Sequence, residues 1–186
     1  LAFEELFLLK CGLHLLRSRR LDVPGPHCRA VPLRAFYDVL PFSLTGAQQK
    51  AIADAVSDMT AGRPMNRLCQ GDVGSGKTMV AAACTWFAAQ SGWQSALMAP
   101  TEILARQHYE NLAPLFARFG LRCALLTGST RTRERRAILD GLTDGTVTLC
   151  IGTHALLTAD VQYQRLGLVV TDEQHRFGVA QRSALG

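Results

Sequence analysis

Apolar residues recur at helical spacing through Phe3, Leu6, Phe7, Leu9, Leu13 and Leu16, and predict an amphipathic helix over residues 3–18. A stretch punctuated by Pro24, Pro26 and Pro32 follows and reads as a linker, with Arg17, Arg19 and Arg20 at the junction. From Phe42 onward short apolar runs alternate with longer segments of helical period. The runs predict strands over 65–70, 95–99, 121–126, 147–151 and 166–171, and the segments predict helices over 46–60, 77–90, 102–117, 132–141 and 177–185. Pro114 is expected to kink or end the 102–117 helix. This alternation predicts an α/β fold, a parallel sheet with helices on both faces. The chain then divides into an N-terminal helix with its Pro-rich linker, residues 1–40, and an α/β lobe, residues 41–186.

Composition narrows the class. With 186 residues, 48% hydrophobic and 19% charged, the chain can bury one good core and a small appendage. A net charge of +5 fits a polyanionic partner and equally a solvated basic surface. Arg131, Arg133, Arg135 and Arg136 form the densest basic cluster and read as a solvated helix face beside Glu134. The six cysteines, at 11, 28, 69, 84, 123 and 150, show no Cys-x-x-Cys pair and no His at ligand spacing. They are expected to be buried thiols of a reducing compartment, not a zinc site or disulfide framework. The apolar N-terminus is broken by Glu4, Glu5, Lys10 and His14, too short a run to span a membrane. A soluble, cytoplasmic protein is expected, and the first residue, Leu1, with the abrupt end at Gly186, suggests a piece of a longer one.

The chemistry concentrates at Gly71-Asp72-Val73-Gly74-Ser75-Gly76-Lys77-Thr78, the full G-x-x-x-x-G-K-[ST] pattern. A triphosphate needs several backbone N–H groups converging on one concavity, which Gly71, Gly74 and Gly76 permit. Lys77 brings a positive charge to the outer phosphates, and the Thr78 hydroxyl suits a Mg²⁺ ion bridging them. A predicted strand before the loop and an Ala-rich helix after it supply the setting that the motif requires. The run Leu166 to Thr171 then leads into Asp172-Glu173. An apolar strand ending in two acids suits the other half of such a site, with Asp172 on the metal and Glu173 as the base that activates water.

Asp172-Glu173-Gln174-His175 resembles motif II of superfamily 2 helicases and translocases, and the longer run through Val179 is similar to the RecG family of branched-DNA helicases. Pro41 to Gln48 resembles the segment upstream of motif I, Gly71 to Thr78 motif I itself, and Ala99 to His108 motif Ia. Leu126-Thr127-Gly128-Ser129 and Ile151 to Leu156 resemble the next two DNA-side motifs. The likeness runs almost continuously over 41–182. Thr171 departs from it, standing where the family has an aliphatic residue before the acid. The transcription-repair coupling factors are near relatives, but Gln174 and the Leu-Thr-Gly-Ser stretch favour RecG.

The resemblance implies the first RecA-like lobe of an ATP-dependent DNA motor that remodels branched DNA in repair and recombination, with ATP and Mg²⁺ as cofactors. It implies that Gln48 reads adenine, that Phe42 packs against the base and that His175 couples nucleotide state to the following motif. Thr101, Thr127, Gly128, Ser129 and Thr153 match positions that touch the nucleic-acid backbone. It further implies a wedge domain and a second RecA-like lobe as missing partners, a nucleoid-associated location in the cytoplasm, and a fragment poorly active alone. A coupling-factor-like translocase, a small-molecule phosphotransferase and a non-catalytic DNA-binding domain stand as alternatives.

Overall fold

A computed structural model describes residues 25–62, 64–72 and 74–172. The expected helices over 3–18 and 177–185, the arginines at 17, 19 and 20, Val73, and Glu173 to His175 lie outside the described residues. The Pro-rich stretch carries an element that its composition hides, the short helix α1 (Arg34–Tyr37). Phe36 of α1 is completely buried and stacks on Phe119 with ring centroids 5.8 Å apart, while Trp86 lies at the same distance. Burial of an aromatic ring this large anchors residues 25–40 to the α/β lobe.

Thr45 opens α2 (Gly46–Thr60) with a capping box. Its hydroxyl accepts from the Gln48 N–H at 3.3 Å, and the Gln48 side chain accepts from the Thr45 N–H at 2.8 Å. α3 (Lys77–Ala89) is apolar almost all round because it is sandwiched: Val80, Ala83, Trp86 and Phe87 are all buried. A short turn reverses the chain into β1 (Gln94–Met98), every residue of which is buried. α4 (Glu102–Ala117) starts at the cap Thr101, whose hydroxyl accepts from the Leu104 N–H at 3.3 Å. Pro114 sits inside α4 without ending it. It removes the N–H that would bond to the Glu110 carbonyl, and α4 stops three residues later.

The remaining elements are β2 (Cys123–Leu126), α5 (Thr132–Thr143), β3 (Leu149–Gly152), a 3₁₀ turn (His154–Leu157) and β4 (Leu166–Thr171). The four strands form one parallel sheet in the order β2-β3-β1-β4. Alternation along the strands divides the core by face. Leu97, Leu149, Ile151 and Leu168 meet α2, α3 and α4, whereas Ala96, Met98, Ala124, Leu126 and Cys150 meet Ile138 and Leu142 of α5. Helices thus cover both faces, as the alternation predicts.

Two further expectations fail. Residues 65–70 are not a strand: they pair with none, Leu68 is 74% exposed, and Arg67 is tied to Asp58 of α2. A run of weak β character takes strand form only where an edge pairs with it, and β4 pairs only with β1 among the described strands. Nor are all the cysteines buried. Cys28, Cys84 and Cys150 are, but Cys123 is half-buried and Cys69 exposed on the 65–70 run; all five are free thiols.

Candidate functional site

α3 begins at Lys77 immediately after Gly76, which has φ +77° and caps the helix in the left-handed region. A side chain there would be strained and would run into the Gln48 amide, so glycine is required twice over. Gly71 lies so close to Ser75 that an added Cβ would stand 2.7 Å from its hydroxyl oxygen. The Lys77 ammonium folds back onto the loop, donating to the carbonyls of Gly71 at 2.7 Å and Asp72 at 2.8 Å. Gly71, Asp72, Gly74 and Ser75 are exposed or nearly so, leaving the loop open to solvent at a helix N-terminus, where anions bind. Because α3 runs opposite to β1, this N-terminus lies at the C-terminal edge of the sheet.

Asp172 directly follows β4 on that same edge. Its N–H donates to the Met98 carbonyl at 2.8 Å, and its Oδ2 lies 2.8 Å from Nε2 of His108 on α4. An ionised carboxylate only accepts, so the ring proton of this pair sits on Nε2. The His108 side chain is 13% exposed and Asp172 33%. Among the described residues the second Asp172 oxygen has no protein partner, and no cluster of three His, Cys, Asp or Glu exists. One carboxylate and the Thr78 hydroxyl in the first turn of α3 are hard oxygen donors, a set that fits Mg²⁺, which keeps water and phosphate as its other ligands. Thr171, the departure from the family pattern, is only half-buried, so its hydroxyl is not stranded in the core.

Tyr37, Leu40, Pro41, Phe42, Leu44 and Gln49 line a hollow of about 400 Å³. Phe42 is 51% exposed within it, an uncovered ring face. Gln48 is built into the frame: its Nε2 donates to the Ser75 carbonyl at 2.8 Å while its Oε1 serves the capping box. Each end of the amide retains one further hydrogen-bonding capacity.

The hydroxyls expected at a nucleic-acid backbone all follow strand ends on the same edge: Thr101 after β1, Thr127 to Ser129 after β2 and Thr153 after β3. Thr101, Gly128 and Ser129 are exposed. Thr127 and Thr153 are each 3% exposed. Thr127 braces its loop through Ser129 at 3.0 Å, and the Thr153 hydroxyl has no partner among the described residues. Arg135 leaves the basic cluster to form a bidentate pair with Asp160, whereas Arg131, Arg133 and Arg136 point into solvent.

Two residues of the Ala99–His108 stretch likened to motif Ia join the site, although the resemblance implies no role for either. Glu102 receives the Ser129 hydroxyl at 2.6 Å and its N–H at 3.2 Å, and the Ser129 hydroxyl bond holds its carboxyl below the usual range. His108 reaches Asp172 from the same helix. Both contacts link residues far apart in sequence, so spacing carries no trace of them.

A family model of DEAD/DEAH box helicases matches residues 45–185. The chain belongs to the DEAD/DEAH box helicase family. Within that family it is 48% identical over 190 residues to the ATP-dependent DNA helicase RecG of Synechocystis sp., covering 100% of this chain and 23% of that protein. It is 46% identical over 187 residues to the RecG of Thermotoga maritima, covering 100% of this chain and 24% of that protein. The chain therefore spans about a quarter of the length of the curated relatives it matches. A structure of RecG bound to a three-way DNA junction superposes with a TM-score of 0.86 at 44% identity, over 95% of this chain and 24% of that one. The UvsW helicase of bacteriophage T4, at 13% identity and a TM-score of 0.60 over 86% of this chain and 56% of that one, shares the fold. The sheet and its helices are thus a RecA-like helicase lobe, and its family uses ATP.

Proposed function

We propose that this DEAD/DEAH box lobe is the nucleotide-binding part of an ATP-driven helicase that remodels branched DNA, working on the chromosome in the cytoplasm. Residues 41–186 would form the lobe and 1–40 its N-terminal approach. The carrying observation is that the phosphate loop, Asp172 and the exposed Thr101, Gly128 and Ser129 share one edge of one sheet, where α/β folds bind ligands. The high identity to RecG proteins, one of them solved on a three-way junction, supports the substrate class. Among the described residues no helix is long and apolar enough to cross a membrane.

In this reading the N–H groups of Gly71 to Gly76 cradle the phosphates, and Lys77 exchanges its loop carbonyls for phosphate oxygens. Mg²⁺, when bound, would be held by Thr78 and Asp172 and would neutralise phosphate charge. Glu173 orients and deprotonates the attacking water, and His175 relays the outcome. Phe42 and the spare capacity of the Gln48 amide recognise the adenine ring. The small hydroxyls and amides of Thr101 and Thr127 to Ser129, with Thr153 behind them, suit backbone contacts that ignore base sequence. Because the relatives are about four times longer, turnover is expected to need the remainder of the protein, including a second lobe and a wedge domain.

A test uses the full-length protein, fluorescent nucleotide and ATP turnover with and without three-way-junction DNA. Lys77→Ala is expected to weaken nucleotide binding at least about tenfold, the loss of a charged hydrogen-bond donor. Glu173→Gln should keep binding and lower junction-stimulated turnover by about 10²- to 10⁴-fold. Turnover indifferent to DNA would favour a small-molecule phosphotransferase, and stimulation by linear duplex alone a coupling-factor-like translocase.

A further inference from the structure

His108 has no role in the nucleotide site as described, yet it makes the one side-chain hydrogen bond to Asp172 among the described residues. Its ring is nine-tenths covered less a little, at 13% exposed, and its Nε2–H donates to one carboxylate oxygen at 2.8 Å. A half-exposed aspartate at the end of an edge strand would otherwise choose among several rotamers. The histidine removes that choice and leaves the other oxygen without a protein partner among the described residues. Six residues earlier on the same helix, about 9 Å along its axis, Glu102 holds the Ser129 hydroxyl and N–H of the loop after β2. One rigid element therefore grips the acid at the nucleotide site with one side chain and a candidate backbone-contact loop with another.

We propose that His108 is a positioning residue for Asp172, and that α4 carries through it the effect of nucleic acid at the 127–130 loop to the metal-holding acid. This rests on the nucleotide-site reading given above. The contribution is geometric: the imidazole holds the carboxylate in the orientation that a divalent ion needs, as second partners of metal ligands do, and such partners typically alter metal affinity 10- to 100-fold. In this proposal His108 acts through Asp172 and not on the nucleotide itself.

The test measures binding of fluorescent ADP by the full-length protein across a Mg²⁺ titration, with EDTA as the metal-free reference, beside ATP turnover with and without three-way-junction DNA. His108→Ala is expected to raise the Mg²⁺ concentration at half-effect by about 10- to 100-fold. Nucleotide binding in EDTA, which depends on the Lys77 loop, should stay unchanged. His108→Gln, which places an amide N–H near the Nε2 position, should restore the wild-type half-point to within about threefold and recover the DNA stimulation that alanine loses. If circular dichroism shows alanine to be unfolded, His108→Asn, whose shorter amide misses the carboxylate, takes its place. An unchanged or lower Mg²⁺ half-point in a folded Ala or Asn variant overturns the proposal, since His108 would then be packing only or competing with the ion. Failure of Lys77→Ala to weaken binding in EDTA overturns instead the nucleotide-site reading, whatever His108 does.

Discussion

Asp58 and Glu102 show how single carboxylates tie irregular segments to the helices of this lobe. The Arg67 hydrogen bond to Asp58, and the Ser129 hydroxyl bond to Glu102, hold both carboxyls below their usual range. Thr158 and Arg135 do the same for Asp160, and the Thr146 N–H for Asp144. A depressed carboxyl pKa in the folded state contributes stability that is complete above the unfolded value, near 3.8 for Asp and 4.5 for Glu, and disappears as pH falls through the folded value. These groups lie at the surface, so each contribution is small and screened by salt. The melting temperature is accordingly expected to be flat from pH 7 to about 5 and to fall below about pH 4, where the carboxylates protonate. Arg67→Ala should shrink that acid-side loss, and a series of thermal melts from pH 3 to 7 on both proteins checks it. A melting temperature that rises on acidification would contradict the assignment.

Helix starts are the most legible features of the chain because each carries its own chemistry. Thr45 with Gln48, Gly76 before Lys77, and Thr101 before Glu102 each announce a boundary, and α2, α3 and α4 begin at those positions. Thr45→Ala is expected to cost about 1 kcal/mol in urea unfolding, the usual value of a lost cap. Nucleotide binding should stay unchanged, because alanine keeps the Thr45 N–H on the Gln48 side chain, whose amide holds the Ser75 carbonyl of the phosphate loop. A loss of binding beside the loss of stability would show that the loop depends on the hydroxyl cap as well. Strands are less legible, since pairing decides them: 166–171 is matched to the residue, 95–99 and 147–151 shift slightly, and 65–70 fails for want of a partner. The phosphate loop and Asp172 could be read from order along the chain. The His108–Asp172 and Glu102–Ser129 contacts could not, because they are made by a helix crossing between strand ends. The burial of Thr127 and Thr153 is equally invisible in a motif, which gives residue type and not depth.

Across the whole molecule the sheet separates two cores that support different parts of the functional edge. One face packs α2, α3 and α4 together with Phe36, and α1 leads directly into the hollow lined by Tyr37, Leu40 and Phe42. The other packs α5 through Ile138 and Leu142 against Met98, Leu126 and Cys150, at a distance from that hollow. Phe36 and Leu142 are both 0% exposed, so truncating either leaves a cavity: about 3–5 kcal/mol for Phe→Ala and 2–5 for Leu→Ala. Comparable losses should nevertheless part company in function. Phe36→Ala removes the ring stacked on Phe119 and tilted against Trp86, loosens α1, and is expected to weaken nucleotide affinity several-fold at temperatures where the protein remains folded. Leu142→Ala is expected to leave nucleotide affinity in EDTA unchanged, because among the described residues none of its core lines the hollow or the phosphate loop. Urea unfolding gives the stability of each variant, and fluorescent-nucleotide titration well below the melting temperature gives the affinity. Equal weakening by both would mean that the sheet transmits any loss of packing to the site, and the nucleotide edge would then depend on overall rigidity and not on the face that carries it.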